Sequence, residues 1–209
     1  MALKTIVKIN RTNNLSDARY CAGMGVDLMG FCLDPNSPDV VSPEKFQEIT
    51  GWIAGVQLVG EFYESSPLMI KELIGSYRLD YIQTSDPDSI VYLSQLELPI
   101  ILLVTLPEDL EDDRWKTMLE EKKSYVSYFL LTANEENAID KYLPTIAELS
   151  SVYPFLLGFG VNADNALEII EGTAIKGITL DGGHEIKSGY KDFHDLADVL
   201  EAIEIDDLD

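Results

Sequence analysis

Short β-branched and aliphatic runs alternate with amphipathic segments of helical period along the whole chain, and this alternation limits the possible folds more than any other feature. Candidate strands fall at residues 5–9, 27–33, 56–63, 80–84, 100–104, 128–132, 155–158 and 177–181. Candidate helices fall between and after them, at 15–24, 43–54, 67–77, 87–96, 108–123, 138–152, 163–171 and 192–203. Strands that are apolar on both faces and separated by helices imply a parallel sheet covered by helices. Eight βα units favour an α/β fold with one parallel eight-stranded βα (TIM) barrel, with a doubly wound open sheet as the structural alternative. The 209 residues suit a single domain over 1–209, with a short acidic tail from about residue 204.

Local chemistry supports several boundaries. Ser42-Pro43-Glu44 reads as an N-cap, a proline at the first helical position and an early acid for the helix dipole. Ser66-Pro67 repeats the cap and proline, and Asn162 and Asp192 are candidate caps for the last two helices.

The chain carries 37 acidic against 15 basic side chains, a formal net charge of −22. Such a field repels phosphate backbones and anionic lipid, which argues against nucleic-acid and membrane partners. Much of the excess lies at 108–113 and 201–209, read as solvated helix and terminus. No apolar stretch approaches the ~20 residues of a membrane span, and no signal-peptide pattern follows Met1, so a cytoplasmic location is expected. Cys21 and Cys32 are the only cysteines, too few for a disulfide framework and without zinc-site spacing. They read as buried thiols, and neither a metal nor another cofactor is implied.

In a barrel of this kind the site lies where the strands run out into the following loops. That places Asn10, Arg11, Asp34, Glu61, Gln83, Ser85, Thr105, Thr132, Gly160 and residues 181–185 around one mouth. Gly158-Phe159-Gly160 and Asp181-Gly182-Gly183 lie in the seventh and eighth loops, where glycine-freed amides hold anions in such folds, although tight turns alone also explain glycines there.

On these residues the chain resembles the phosphoribosylanthranilate isomerase family of tryptophan biosynthesis. Lys8-Ile9-Asn10-Arg11 sits where the family has Lys-Ile-Cys-Gly, and Asn14-Leu15-Ser16-Asp17-Ala18 where it has Asn-Leu-Glu-Asp-Ala. Gly25-Val26-Asp27, Gly30-Phe31, the run from Ser37 to Glu44, Val59-Gly60 and Asp80-Tyr81-Ile82-Gln83 follow in order. Near the end, the run from Gly160 to Asn165 and then Gly183, Glu185, Gly189, Lys191 and Asp192 match its terminal motifs.

The departures concentrate at the chemistry. The resemblance implies a cysteine base where this chain has Asn10, and an aspartate acid where it has Thr132. It implies a substrate-binding arginine where Asp39 stands, a histidine at Ser85, a glycine at Phe159 and a glycine-rich loop at Ala133-Asn134-Glu135-Glu136-Asn137. The family's reaction opens a ribose ring and moves a proton from carbon, so it needs an acid and a base. An amide and an aliphatic hydroxyl supply neither.

Three expectations follow. The first is a diverged relative with weak or lost isomerase activity that binds a small ligand at the mouth, phosphorylated if the late loops hold an anion. Arg11, Gln83, Gly160, Gly182 and Gly183 are its candidate ligand contacts. The second is a working intramolecular isomerase that has recruited Glu61, Asp181 or His184 as acid or base. Glu61 is unusual in an apolar strand and must be paired or shifted in pKa; pairing with Lys8 or Arg11 is the plainer reading. The third is a non-catalytic scaffold whose acidic surface binds a protein partner. Whether the protein is an enzyme stays open at this point.

Overall fold

The computed structural model describes residues 2–135, 139–182, 184–187, 190–192 and 194–205. Eight strands close into a parallel barrel in chain order: β1 (Ile6–Asn10), β2 (Leu28–Cys32), β3 (Gln57–Phe62), β4 (Tyr81–Thr84), β5 (Ile100–Thr105), β6 (Tyr128–Thr132), β7 (Phe155–Leu157) and β8 (Gly177–Asp181). β8 returns to pair with β1 over the full strand, Ile6 opposite Gly177 and Asn10 opposite Asp181. The helices are α1 (Leu15–Gly23), α2 (Pro43–Thr50), α3 (Pro67–Ile74), α4 (Ile90–Leu93, flanked by 3₁₀ turns), α5 (Arg114–Lys122), α6 (Ile139–Leu149), α7 (Ala166–Gly172) and α8 (His194–Ala202). No described helix is long and apolar enough to cross a membrane.

The caps act as the sequence suggests. Ser42 and Ser66 accept hydrogen bonds from the amides of Lys45 and Met69, each at 3.3 Å, and a proline opens each helix. The first and last described residues meet: Leu3 bridges Glu204 and the Ile205 amide donates to the Ala2 carbonyl. Residues 204 and 205 are therefore pinned to the barrel, ahead of the remaining acidic tail.

Three details differ from the sequence reading. The acidic run 108–113 forms turns rather than the start of α5, because Asp109 and Asp112 accept from the backbone amides of Glu111 and Arg114 and so compete with helix. Asn162 accepts from the amides of Asp164 and Asn165 in the turn before α7, which starts only at Ala166. Asp192 lies in a strand rather than at a helix cap: the loop after β8 carries an antiparallel hairpin of β9 (His184–Lys187) and β10 (Tyr190–Asp192).

A strand turns alternate residues to opposite faces, and that period sorts the barrel into an outer and an inner set. Val7, Ile9, Phe31, Phe62, Ile82, Phe129, Phe155 and Ile178 belong to the large cluster packed against the helices. Their neighbours face inward. At the bottom, Leu28, Val59, Ile101, Leu130 and Leu156 form an apolar plug with Ile6, Tyr81 and Tyr128. One step higher the same faces carry Lys8, Gly30, Glu61, Gln83 and Thr179, and the polar members of this layer are buried. One step higher again come Asn10, Cys32, Tyr63, Thr132, Gly158 and Asp181, at the mouth.

The middle layer depends on Gly30. A Cβ there would overlap the Glu61 carboxylate and stand 2.9 Å from Lys8 Nζ, so the missing side chain makes room for the ion pair. Gly30→Ala is expected to lower stability by about 1–3 kcal/mol through overpacking, read as a shift in the denaturant midpoint with an unchanged m-value. An unshifted midpoint would show that the pair relocates freely.

Candidate ligand site at the barrel mouth

A cavity of about 340 Å³ opens at the C-terminal ends of the strands, and Asn10, Arg11, Asp39, Tyr63, Thr132 and Asp181 are among its lining residues. Its floor is held by a closed hydrogen-bonded circuit. Lys8 Nζ donates to Glu61 Oε1 at 2.5 Å and to Asn10 Oδ1 at 2.6 Å. Asn10 Nδ2 donates to Asp181 Oδ1 at 3.1 Å, and Arg11 Nη2 donates to Asp181 Oδ2 at 3.0 Å. The Arg11 backbone N–H returns to Glu61 Oε2 at 3.1 Å, which also accepts from the Tyr63 hydroxyl at 3.1 Å.

The circuit fixes the chemistry of each member. Lys8 and Glu61 are fully enclosed as an ion pair. The candidate acid or base Glu61 therefore lies below the mouth with both oxygens occupied. Asn10 must point its carbonyl at Lys8, which turns its amide nitrogen to Asp181. Arg11 and Asp181 are each about half exposed, at 51% and 54%. The Asp181 carboxylate holds the Arg11 guanidinium above its ordinary pKa. Burial, followed by the Glu61 charge, pushes the Tyr63 phenol well above its ordinary pKa. Burial also raises the Cys32 thiol at the cavity wall, making it a poor thiolate source.

Arg11 has φ +49°, a left-handed backbone that a glycine occupies more cheaply, and the family resemblance places a glycine there. The strained residue is retained with its amide on Glu61 and its guanidinium on Asp181.

The remaining candidates divide. Thr132 lines the cavity, and its hydroxyl lies 3.3 Å from that of Thr105. Gln83 is buried beneath the mouth, beside Glu61 in register, with neither side-chain amide atom partnered. Gly160 has φ +68° and lies beyond the cavity wall, which is formed on that side by Gly158 and Phe159. Its carbonyl accepts from Asn165 Nδ2, and the amides of Asn162, Asp164 and Asn165 are engaged by asparagine side chains. Gly182 is half-buried, Gly183 lies outside the described residues, and so does the side chain of His184. Ser85 donates to the Tyr63 carbonyl at 2.7 Å and so braces the mouth from β4. Asp34 accepts from the amides of Tyr63, Glu64 and Ser65 and latches the loop after β3. Among the described residues no group of three or more His, Cys, Asp or Glu side chains forms a metal cluster.

Sequence reasoning passed over Tyr63 as a site residue. The signal was present in the period of two, which puts Tyr63 on the same inward face as Glu61.

A closed parallel βα barrel with a polar cavity at the C-terminal mouth has the architecture of a TIM-barrel enzyme. The family model described as N-(5'-phosphoribosyl)anthranilate (PRA) isomerase matches residues 7–202, and the chain belongs to that family, a family of tryptophan biosynthesis. It is 29% identical to the N-(5'-phosphoribosyl)anthranilate isomerase of Nitrosomonas eutropha over 206 residues, covering 94% of this chain and 95% of the relative. It is 29% identical to that of Geobacter metallireducens over 196 residues, covering 89% and 92%. Among solved structures, the isomerase of Thermotoga maritima superposes with a TM-score of 0.78 at 20% identity, covering 95% of this chain and 98% of that one. A phosphoribosylanthranilate isomerase in complex with reduced 1-(o-carboxyphenylamino)-1-deoxyribulose 5-phosphate gives 0.70 at 22%, again covering 95% and 98%. At these identities the structures speak to the fold alone.

Proposed function

We propose that this protein is a diverged, cytoplasmic member of its family with weak or lost isomerase activity and a small-ligand site at the barrel mouth. One observation carries the reading: Asn10 and Thr132, at the positions the resemblance gives to base and acid, line the same cavity, and neither titrates usefully. Asp39 adds a negative charge to the rim where the resemblance implies an arginine. The test is turnover of phosphoribosylanthranilate by the purified protein. Robust activity, or rescue of a tryptophan auxotroph, overturns the reading.

A second reading keeps a working isomerase, and Asp181 is the residue that favours it. Its carboxylate lies 3.1 Å from the Asn10 amide nitrogen, a short step from the lost base. Asp181→Asn separates the two: it abolishes turnover that depends on this carboxylate and leaves a residual background unchanged.

A phosphorylated ligand meets opposition at this mouth. A carboxylate ~4 Å from an incoming anion costs it about 1 kcal/mol in water and about 4 near a protein surface. Three amides of the loop after β7 are already engaged by side chains. Inorganic phosphate is therefore expected to bind with a dissociation constant near or above ~1 mM. Asp181→Ser should tighten it, because the substitution removes a charge and frees the Arg11 guanidinium. Calorimetry on the two proteins decides the matter. Phosphate undetectable in both would reduce the late glycine loops to turns.

A further inference from the structure

The charged side chains lining the cavity among the described residues are Arg11, Asp39 and Asp181. Arg11 and Asp181 form one pair, and both are fixed from behind: Asn10 holds one Asp181 oxygen, and the Arg11 backbone is tied to Glu61. Neither is exhausted. A guanidinium offers five N–H donors and a carboxylate about four acceptor sites, and the pair spends one donor on one oxygen, with one further acceptor site of Asp181 taken by Asn10. Both groups are half exposed and line the cavity. The mouth therefore presents a positive and a negative group side by side, with Asp39 as a second negative group and Leu103, Ala133 and Phe159 as apolar wall.

From this arrangement we infer that the mouth recognises a small zwitterion of the α-amino-acid kind, its carboxylate on Arg11, its ammonium on Asp181, and its side chain against Leu103 and Phe159. The inference rests on the small-ligand reading above and names the class of ligand. Three physical arguments select it. A dianion meets two carboxylates against one cation, inside a molecule of net charge −22. A simple amine leaves the Arg11 donors without a new partner, and a simple carboxylate leaves Asp181 without one. A ligand with both charges lies antiparallel over the fixed pair and meets each protein charge with its opposite, with charge-assisted hydrogen bonds at both ends. The volume of about 340 Å³ lies within the usual range for a small-molecule site.

The test is calorimetry with three probes of matched shape, L-leucine, isopentylamine (the same skeleton without the carboxylate) and 4-methylpentanoate (without the ammonium), and with inorganic phosphate. L-Leucine is expected to bind about tenfold to a hundredfold more tightly than either truncated analogue, the factor lost with a charge-assisted contact. Arg11→Gln should bring L-leucine down to the level of isopentylamine. Asp181→Ser should weaken L-leucine while tightening phosphate, so one substitution moves two ligands in opposite directions. Both variants keep the Arg11 backbone bond to Glu61, and circular dichroism confirms their folding. If isopentylamine, 4-methylpentanoate or phosphate binds the parent protein as tightly as L-leucine, the inference is overturned and the small-ligand cavity stands. Binding of none of the four overturns it as well. Rapid turnover of phosphoribosylanthranilate, scored separately, removes instead the reading on which the inference rests.

Discussion

Purified protein is expected to isomerise phosphoribosylanthranilate at least ~10³-fold more slowly than relatives that keep the cysteine and the aspartate. Each proton-transfer partner contributes a factor of roughly 10²–10⁴, and both positions hold groups that do not titrate near neutrality. The circuit at the mouth strengthens the expectation. Asn10 is held between Lys8 and Asp181, so it neither rotates away to admit water as a surrogate base nor accepts a proton itself. Glu61 is enclosed by Lys8, the Arg11 amide and the Tyr63 hydroxyl, which leaves no free oxygen to reach a substrate. Restoring both groups, as Asn10→Cys with Thr132→Asp, should raise the rate only in part. The cysteine would lie between Lys8, whose charge favours the thiolate, and Asp181, whose charge opposes it, and Asp39 still repels an anionic substrate. Steady-state kinetics on parent and double variant check this. A parent rate within tenfold of the relatives would refute it.

Breaking the buried ion pair should have the largest effect on stability. Lys8 and Glu61 are fully enclosed, and the pair rests on an apolar plug, so neither charge has water to fall back on. Glu61→Leu or Lys8→Met alone leaves one uncompensated charge and is expected to cost about 3–5 kcal/mol. The paired change, Lys8→Met with Glu61→Leu, removes both charges at similar volume. Its orphaned partners, the Arg11 amide and the groups on Asn10 and Tyr63, each cost about 1 kcal/mol or less where mouth water reaches them. The double variant should therefore recover to within about 2 kcal/mol of the parent. Urea titrations of the four proteins measure the coupling as a double-mutant cycle. Additive losses would show that the two side chains act independently and that the pair is incidental.

Much of the architecture was legible in the sequence because it depends on local patterns. The eight apolar runs, the helical periods between them and the Ser-Pro caps at Ser42 and Ser66 are each written in a few consecutive residues. Closure into a barrel followed from their number, and the place of Asn10 and Thr132 at the mouth from their positions at strand ends. The family pattern added which positions were altered.

What the sequence left open involves groups far apart in the chain. That Glu61 needed a partner was evident from its apolar strand, but Lys8 and Arg11 were two options until the β1–β2–β3 register set Lys8 against it beside Gly30 and left it, from Arg11, only the backbone amide. The Arg11–Asp181 pair joins residues 170 positions apart, and only the return of β8 onto β1 makes them neighbours. The acidic run at 108–113 had helical composition, and its aspartates capped turns instead. The hairpin β9–β10 had no hydrophobic period to announce it. Local sequence thus determined which elements form and which faces they bury, through periodicity and capping. The closed barrel alone decided which charges meet, because long-range register sets the distances on which electrostatics depends.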